Sequence, residues 1–195
     1  VTGSATCTNA GPSAAADPTC AVTGLPAGAT VACTPAPAPN PLAVGASITR
    51  AISFVAPASG AVNVAVTAGS STADPVLGNN RATQPLGIAP QADMQAALAG
   101  FPANATTGVP VTGTLTCTNA GPSPAANPIC APAGLPAGAT VSCAPAPAPD
   151  PLAVGASIVC SIGFPPGTSG AITLTGRAGS STADPNPAND IASIT

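Results

Sequence analysis

The chain has no lysine, no glutamate, no histidine, no tryptophan and no tyrosine, and those absences exclude most functions at once. Charged residues make up 5% of its 195 positions, against roughly 25% in ordinary soluble domains. Three arginines and a formal charge of −3 cannot neutralise a nucleic-acid backbone, and no aromatic platform exists on which bases could stack. General acid–base chemistry would fall on aspartate alone. Each of the six Asp residues sits beside turn residues or at an element edge. No serine stands in a nucleophile-elbow pattern, and no glycine loop carries the lysine of a phosphate cradle. The expectation is therefore no enzyme, no cofactor and no small-molecule substrate.

Long hydrophobic runs are missing as well. Although 45% of the residues are hydrophobic, proline and glycine break every stretch before it reaches transmembrane length. No membrane insertion is expected. Core material is thin, with three phenylalanines at 54, 101 and 164, so Val, Ile, Leu and Ala must do the packing. A surface of Ala, Gly, Pro, Thr and Ser offers a trypsin-like protease almost nothing and carries little charge to keep copies apart. The chain opens on Val1 with no visible signal peptide; a processed secreted chain, or a segment of a longer one, is the expectation.

What is there is a sequence written nearly twice. A shift of 110 positions lays Cys7, Cys20 and Cys33 on Cys117, Cys130 and Cys143, and Pro41–Ile48 on an identical run from Pro151 to Ile158. The second copy has a lead-in, Leu86 to Pro110, whereas the first begins at Val1, the partner of Val111. Two domains follow, 1–85 and 86–195, with 86–110 holding a linker and the first strand of the second. The 26 prolines and 21 glycines would suggest disorder without a period. The period and the low charge argue against a solvated coil.

Period-two alternation predicts strands. Leu115 and Cys117 share one face, with Thr114, Thr116 and Thr118 on the other; Ile158, Cys160, Ile162 and Phe164 share another. Val141 with Cys143, and Ala171–Thr175 with Ile172 and Leu174 inward, read as further strands. The first copy repeats the pattern at Ile48, Arg50, Ile52 and Phe54, then at Val62, Val64 and Val66. Turn signals fall at Asn119–Ser123, Gly134–Gly138, Pro165–Gly170 and Asp184–Asp190. Such short strands suggest an all-β sandwich. The Pro-Ala runs at Pro35–Pro41 and Pro145–Pro151 predict extended polyproline-II loop. Gln91–Leu98 reads equally as helix or strand.

The run T-N-A-G-P-S-x-A at Thr118–Ala125, then L-P-A-G-A-T at Leu135–Thr140, then D-P-N-P-A-N-D at Asp184–Asp190 carries a resemblance. Together they resemble the bacterial conserved-repeat family first catalogued as an eleventh domain of unknown function. The resemblance covers essentially the whole chain, twice. It implies two tandem immunoglobulin-like β-sandwiches of the kind strung along large secreted and cell-surface proteins, the first lacking its own N-terminal strand. Arg81–Thr83 followed by Ala92-Asp93-Met94 fits the junction between such repeats. The composition departs from the family, whose members are richer in charge and aromatics.

Seven cysteines in an otherwise inert sequence fit an oxidising compartment. Cys117 and Cys130 flank a turn-forming stretch, so a bridge closing the first hairpin is expected, with Cys7–Cys20 as its twin. Cys143 and Cys160 then pair across the Pro-rich loop. The partner of Cys160 in the first copy is Arg50, which leaves Cys33 as a buried free thiol or an intermolecular bridge. Clustered side-chain oxygens at Asp74–Asn80 and Asp184–Asp190 read as Asx turns or as a calcium site. Asn104-Ala105-Thr106 is an N-glycosylation sequon.

These signals point to a structural subunit of an extracellular filament, sheath or surface fibre. Its partner would be itself, head to tail, with a neighbour supplying the missing strand. The alternative is a passive stalk or adhesive spacer of a large bacterial cell-surface protein.

Overall fold

Alternating apolar and small polar residues build strands along the whole chain, and a computed structural model describes residues 1–167 and 170–195. Among the described residues there are thirteen β-strands and no α-helix, with single 3-10 turns at Leu77–Asn79 and Pro187–Asn189. The strands form four antiparallel sheets. The fold is all-β. The chain divides into two compact units, Val1–Ala89 and Pro90–Thr195, with two sheets each.

The first unit contains β1 (Thr2–Thr8), β2 (Thr19–Thr23), β3 (Thr30–Thr34), β4 (Ser47–Ser53), β5 (Gly60–Gly69) and β6 (Arg81–Ile88). One sheet has the order β1-β4-β3 and the other β2-β5-β6. Its buried residues form two separate clusters, Cys7, Cys20, Leu42 and Ile48, then Ile52, Phe54 and Val62. Neither cluster is large.

The second unit contains β7 (Ala92–Ala99), β8 (Val111–Pro122), β9 (Ile129–Ala133), β10 (Thr140–Ala144), β11 (Ser157–Phe164), β12 (Leu174–Gly179) and β13 (Ile191–Ile194). Its sheets have the orders β10-β11-β8-β7 and β13-β12-β9. The alternation on β8 and β11 puts Leu115, Cys117, Ile158, Cys160, Ile162 and Phe164 into one continuous core with Ala92, Met94 and Ala178. Phe101 stacks on Phe164 with ring centroids 6.5 Å apart.

Some expectations need correction. The choice left open at Gln91–Leu98 falls to strand, as β7 over Ala92–Ala99, because pairing along β8 outweighs the fractions of a kcal/mol by which Ala, Met, Gln and Leu favour helix. The strand expected at Ala171–Thr175 starts at Leu174 and runs on to Gly179, where β9 and β13 supply its partners. Most of the turn expected at Asn119–Ser123 lies inside β8, whose far end is paired by β7. The proline runs are bends, not extended polyproline II, with cis bonds at Thr34–Pro35, Ala36–Pro37 and Asn40–Pro41 and again at Ala144–Pro145, Ala146–Pro147 and Asp150–Pro151. A proline amide has only a small trans preference to overcome. Part of the turn expected at Pro165–Gly170, namely Thr168 and Ser169, lies outside the described residues.

Candidate functional site

The widest difference between the two units lies beside one strand. In the second unit β7 is the edge strand of its sheet, with Met94 opposite Asn119 and the ladder running to Ala99 opposite Thr114. Ala92 and Met94 are wholly buried there. In the first unit β1 is the terminal strand of its sheet and pairs β4 alone among the described residues. A groove of about 820 Å³ lies beside it, lined by Thr6–Thr8 of β1, Val66 and Ala68 of β5, and the loop Ala73–Val76.

The polar fittings that hold β7 are each traceable to a residue. Met94 donates its backbone N–H to Asp184 Oδ2 at 2.7 Å. Ala92 donates to the Ala183 carbonyl at 2.9 Å. Gln91 donates its N–H to Ser123 Oγ at 3.1 Å, and its carbonyl accepts the Ser123 N–H at 2.8 Å. Asn189 Nδ2 donates to Asp93 Oδ1 at 2.9 Å. Moved by 110 positions, these holders are Asp74, Ala73, Ser13 and Asn79 of the first unit. All four line the groove.

An asparagine bracket at the groove's floor is already formed. In the second unit Asn119 Nδ2 donates to the carbonyls of Ser123 and Leu152, while its Oδ1 accepts from Gly121. Asn9 makes the same three bonds, to Ser13 and Leu42 at 2.9 Å and from Gly11 at 3.0 Å. Thr8–Ser13 and Thr118–Ser123 are the same six residues in the same order. Yet Asn119 and Ser123 are fully buried, whereas Asn9 is half-buried and Ser13 exposed. Exposure also separates Val1, at 52%, from Val111, at 7%. Phe101 lies so close over Gly113 that a Cβ there would sit 2.5 Å from its ring, while the space beside Gly3 is open.

The cysteines take definite places. Cys7 is bridged to Cys20, Cys117 to Cys130, and Cys143 to Cys160. The Cys117–Cys130 bridge closes no hairpin, because β8 and β9 belong to different sheets, and the bond ties one sheet to the other. The same holds for Cys7–Cys20 between β1 and β2. Cys143 and Cys160 sit opposite each other on β10 and β11. At the equivalent place Cys33 faces Arg50. Cys33 is free, half-buried, and directs its thiol to the Pro35 carbonyl at 3.3 Å. Arg50 Nε donates to the Cys20 carbonyl at 2.8 Å, the counterpart of the carbonyl that Cys160 Sγ approaches at 3.9 Å.

The acidic loops are tied to backbone. Asp184 Oδ1 accepts from Asn186 N and its other oxygen from Met94 N; Asp74 Oδ1 accepts from Val76 N. Among the described residues no group of three or more His, Cys, Asp or Glu is disposed to hold a metal ion. Burial beside Asp184 holds the Asp190 carboxyl above the usual range, with Arg177 opposing. Hydrogen bonds from Asn40 and then Ser71 hold Asp17 below it. Asn104 is exposed in a bend. The twofold sequence pattern announced the groove, but the fittings that line it had no signal of their own. They become visible only when the loop Asp184–Asp190 is seen beside β7. No protein-family model matches the chain, and no curated protein matches it. No helix of the described residues is long and apolar enough to cross a membrane.

Proposed function

We propose that the protein is a structural subunit of an extracellular filament, sheath or surface fibre, built from two tandem immunoglobulin-like sandwiches and completed by a neighbour. The observation that carries this reading is the open groove beside β1, where the second unit has β7. An uncovered sheet edge is a template for another strand. The sandwich reading is supported by strand order. In the second unit the first, second, fifth and fourth strands make one sheet and the third, sixth and seventh the other, an order that agrees with a constant-type immunoglobulin sandwich. Three disulfides suit an oxidising exterior.

The chemistry of the surface points the same way. A chain without His, Lys, Glu or Tyr has only aspartate for acid–base chemistry, so the reading assigns it no catalysis. Electron microscopy of the native source material tests the proposal. Ordered filaments with a repeat matching this chain are the expected result; the chain as an isolated spacer within a larger surface protein, with no filament, would overturn it. Non-reducing electrophoresis of the same material decides the role of Cys33. Species that collapse on reduction assign Cys33 to an intermolecular bridge, and a single band leaves it a free thiol.

A further inference from the structure

We infer that the groove of the first unit accepts an extended strand of the Gln91–Ala99 kind, supplied by the segment that follows the last strand of another unit of this kind. The inference rests on the fibre reading and adds to it the chemistry of the incoming strand. Its argument is the β7 interface itself, whose polar holders the groove repeats at Asn9, Ser13, Ala73, Asp74 and Asn79. Asp74 stands for Asp184, which accepts the Met94 N–H, and Asn79 stands for Asn189, which donates to Asp93. The Asn9 bracket is set in advance with the same bonds as its twin. The site is thus shaped before its strand arrives, which lowers the ordering cost of binding.

The source follows from the chain's own order. In this protein β6, the last strand of the first unit, leads through Ala89, Pro90 and Gln91 into β7, which fills the next unit's edge. A unit placed ahead of Val1, by peptide bond or by contact, would deliver its following segment in the same sense. The β7 strand sets the requirements. A small residue is needed at the place of Ala92 and a long apolar one at Met94, since both are wholly buried. An aspartate suits the place of Asp93, because it meets Asn79. Charge favours that aspartate more in the first unit than in the second, as Asn80 replaces the carboxylate of Asp190.

The test uses the full 195-residue chain and a capped synthetic peptide of residues 90–100, labelled for fluorescence anisotropy. Saturable binding at one site per chain is expected, with hydrogen-exchange protection appearing along Thr2–Thr8. Replacing the peptide's methionine with aspartate should weaken binding at least tenfold, and Asp74→Ala in the chain should weaken it several-fold while Asp184→Ala leaves it unchanged. Absence of binding, or binding that tolerates the methionine change, overturns the inference whether or not Asp74→Ala folds. Filaments in native material without peptide binding would sink this inference and leave the fibre reading standing. Peptide binding without filaments would do the reverse.

Discussion

At the scale of single residues, the two units differ by exchanges that keep a place filled while changing its chemistry. Arg50 occupies the place of Cys160, and its guanidinium bonds the Cys20 carbonyl while Cys33 stays reduced opposite it. Because Cys33 and Arg50 are paired in the register that Cys143 and Cys160 use, Arg50→Cys should close a bridge when refolded with oxidised glutathione, which takes up the two electrons and two protons of the thiols. A loop of that size contributes about 3 kcal/mol, less about 1 kcal/mol for the lost hydrogen bond. A net gain of about 2 kcal/mol in denaturant unfolding is expected, with the free thiol gone from a thiol titration. This exchange was legible in the sequence, since the 110-residue shift aligns the positions. A second exchange was not. Asn80 stands where Asp190 does, and only burial beside Asp184 shows why that matters. The Asp190 carboxyl is raised, so charging it opposes folding; the penalty is absent below the unfolded value near 3.8, grows as pH rises above it and is complete once pH has passed the folded value. Asp190→Asn should therefore stabilise the second unit at pH 7, by about 1 kcal/mol or less, and change nothing at pH 3. Thermal melts at the two pH values measure it.

At the scale of elements, one sequence takes two forms. In Thr-Asn-Ala-Gly-Pro-Ser, the residues Thr118–Pro122 are strand in β8 with Asn119, Gly121 and the following Ser123 buried, whereas after Thr8 the same run leaves the strand, bends at Gly11–Ser13 and buries none of these residues. Nothing local distinguishes the two copies. The difference is β7, which pairs the end of β8 as far as Pro122. Local reading placed a turn at Asn119–Ser123, where most of the segment is strand. It did place the facing residues of β8 and β11 on their correct sides, because alternation reports burial directly. It left Gln91–Leu98 undecided, because propensity cannot see a partner strand that lies beyond the next loop, with Ala99 opposite Thr114 and Ala92 opposite Pro122. If β7 is what closes the second unit, removing its anchor should loosen that unit alone. Met94→Ala is expected to cost about 2–5 kcal/mol. Hydrogen exchange should speed up along Val111–Pro122 and stay unchanged along Thr2–Thr8. Equal loosening of both would contradict the assignment of β7 to one unit.

For the whole molecule, these differences add in one direction. The second unit has a continuous core of thirteen buried residues and two disulfides. The first has clusters of four and three buried residues and one disulfide. Its edge strand is uncovered, and Val1 is exposed where Val111 is buried. Small domains have little stability in hand, so the first unit should be the weaker by several kcal/mol. Two unfolding transitions are expected in calorimetry, the first belonging to Val1–Ala89. Exchange protection along β4 should disappear with it, while protection along β11 survives to the second. Reduction should lower both, and the second by more, because it loses two cross-links of about 2–4 kcal/mol each while the first loses one. The gap between the transitions then narrows. Were a bound strand supplied, the first transition alone should rise, by the logarithm of strand concentration over its dissociation constant. A single transition, or a second unit that melts first, would remove the asymmetry on which a neighbour-completed subunit depends.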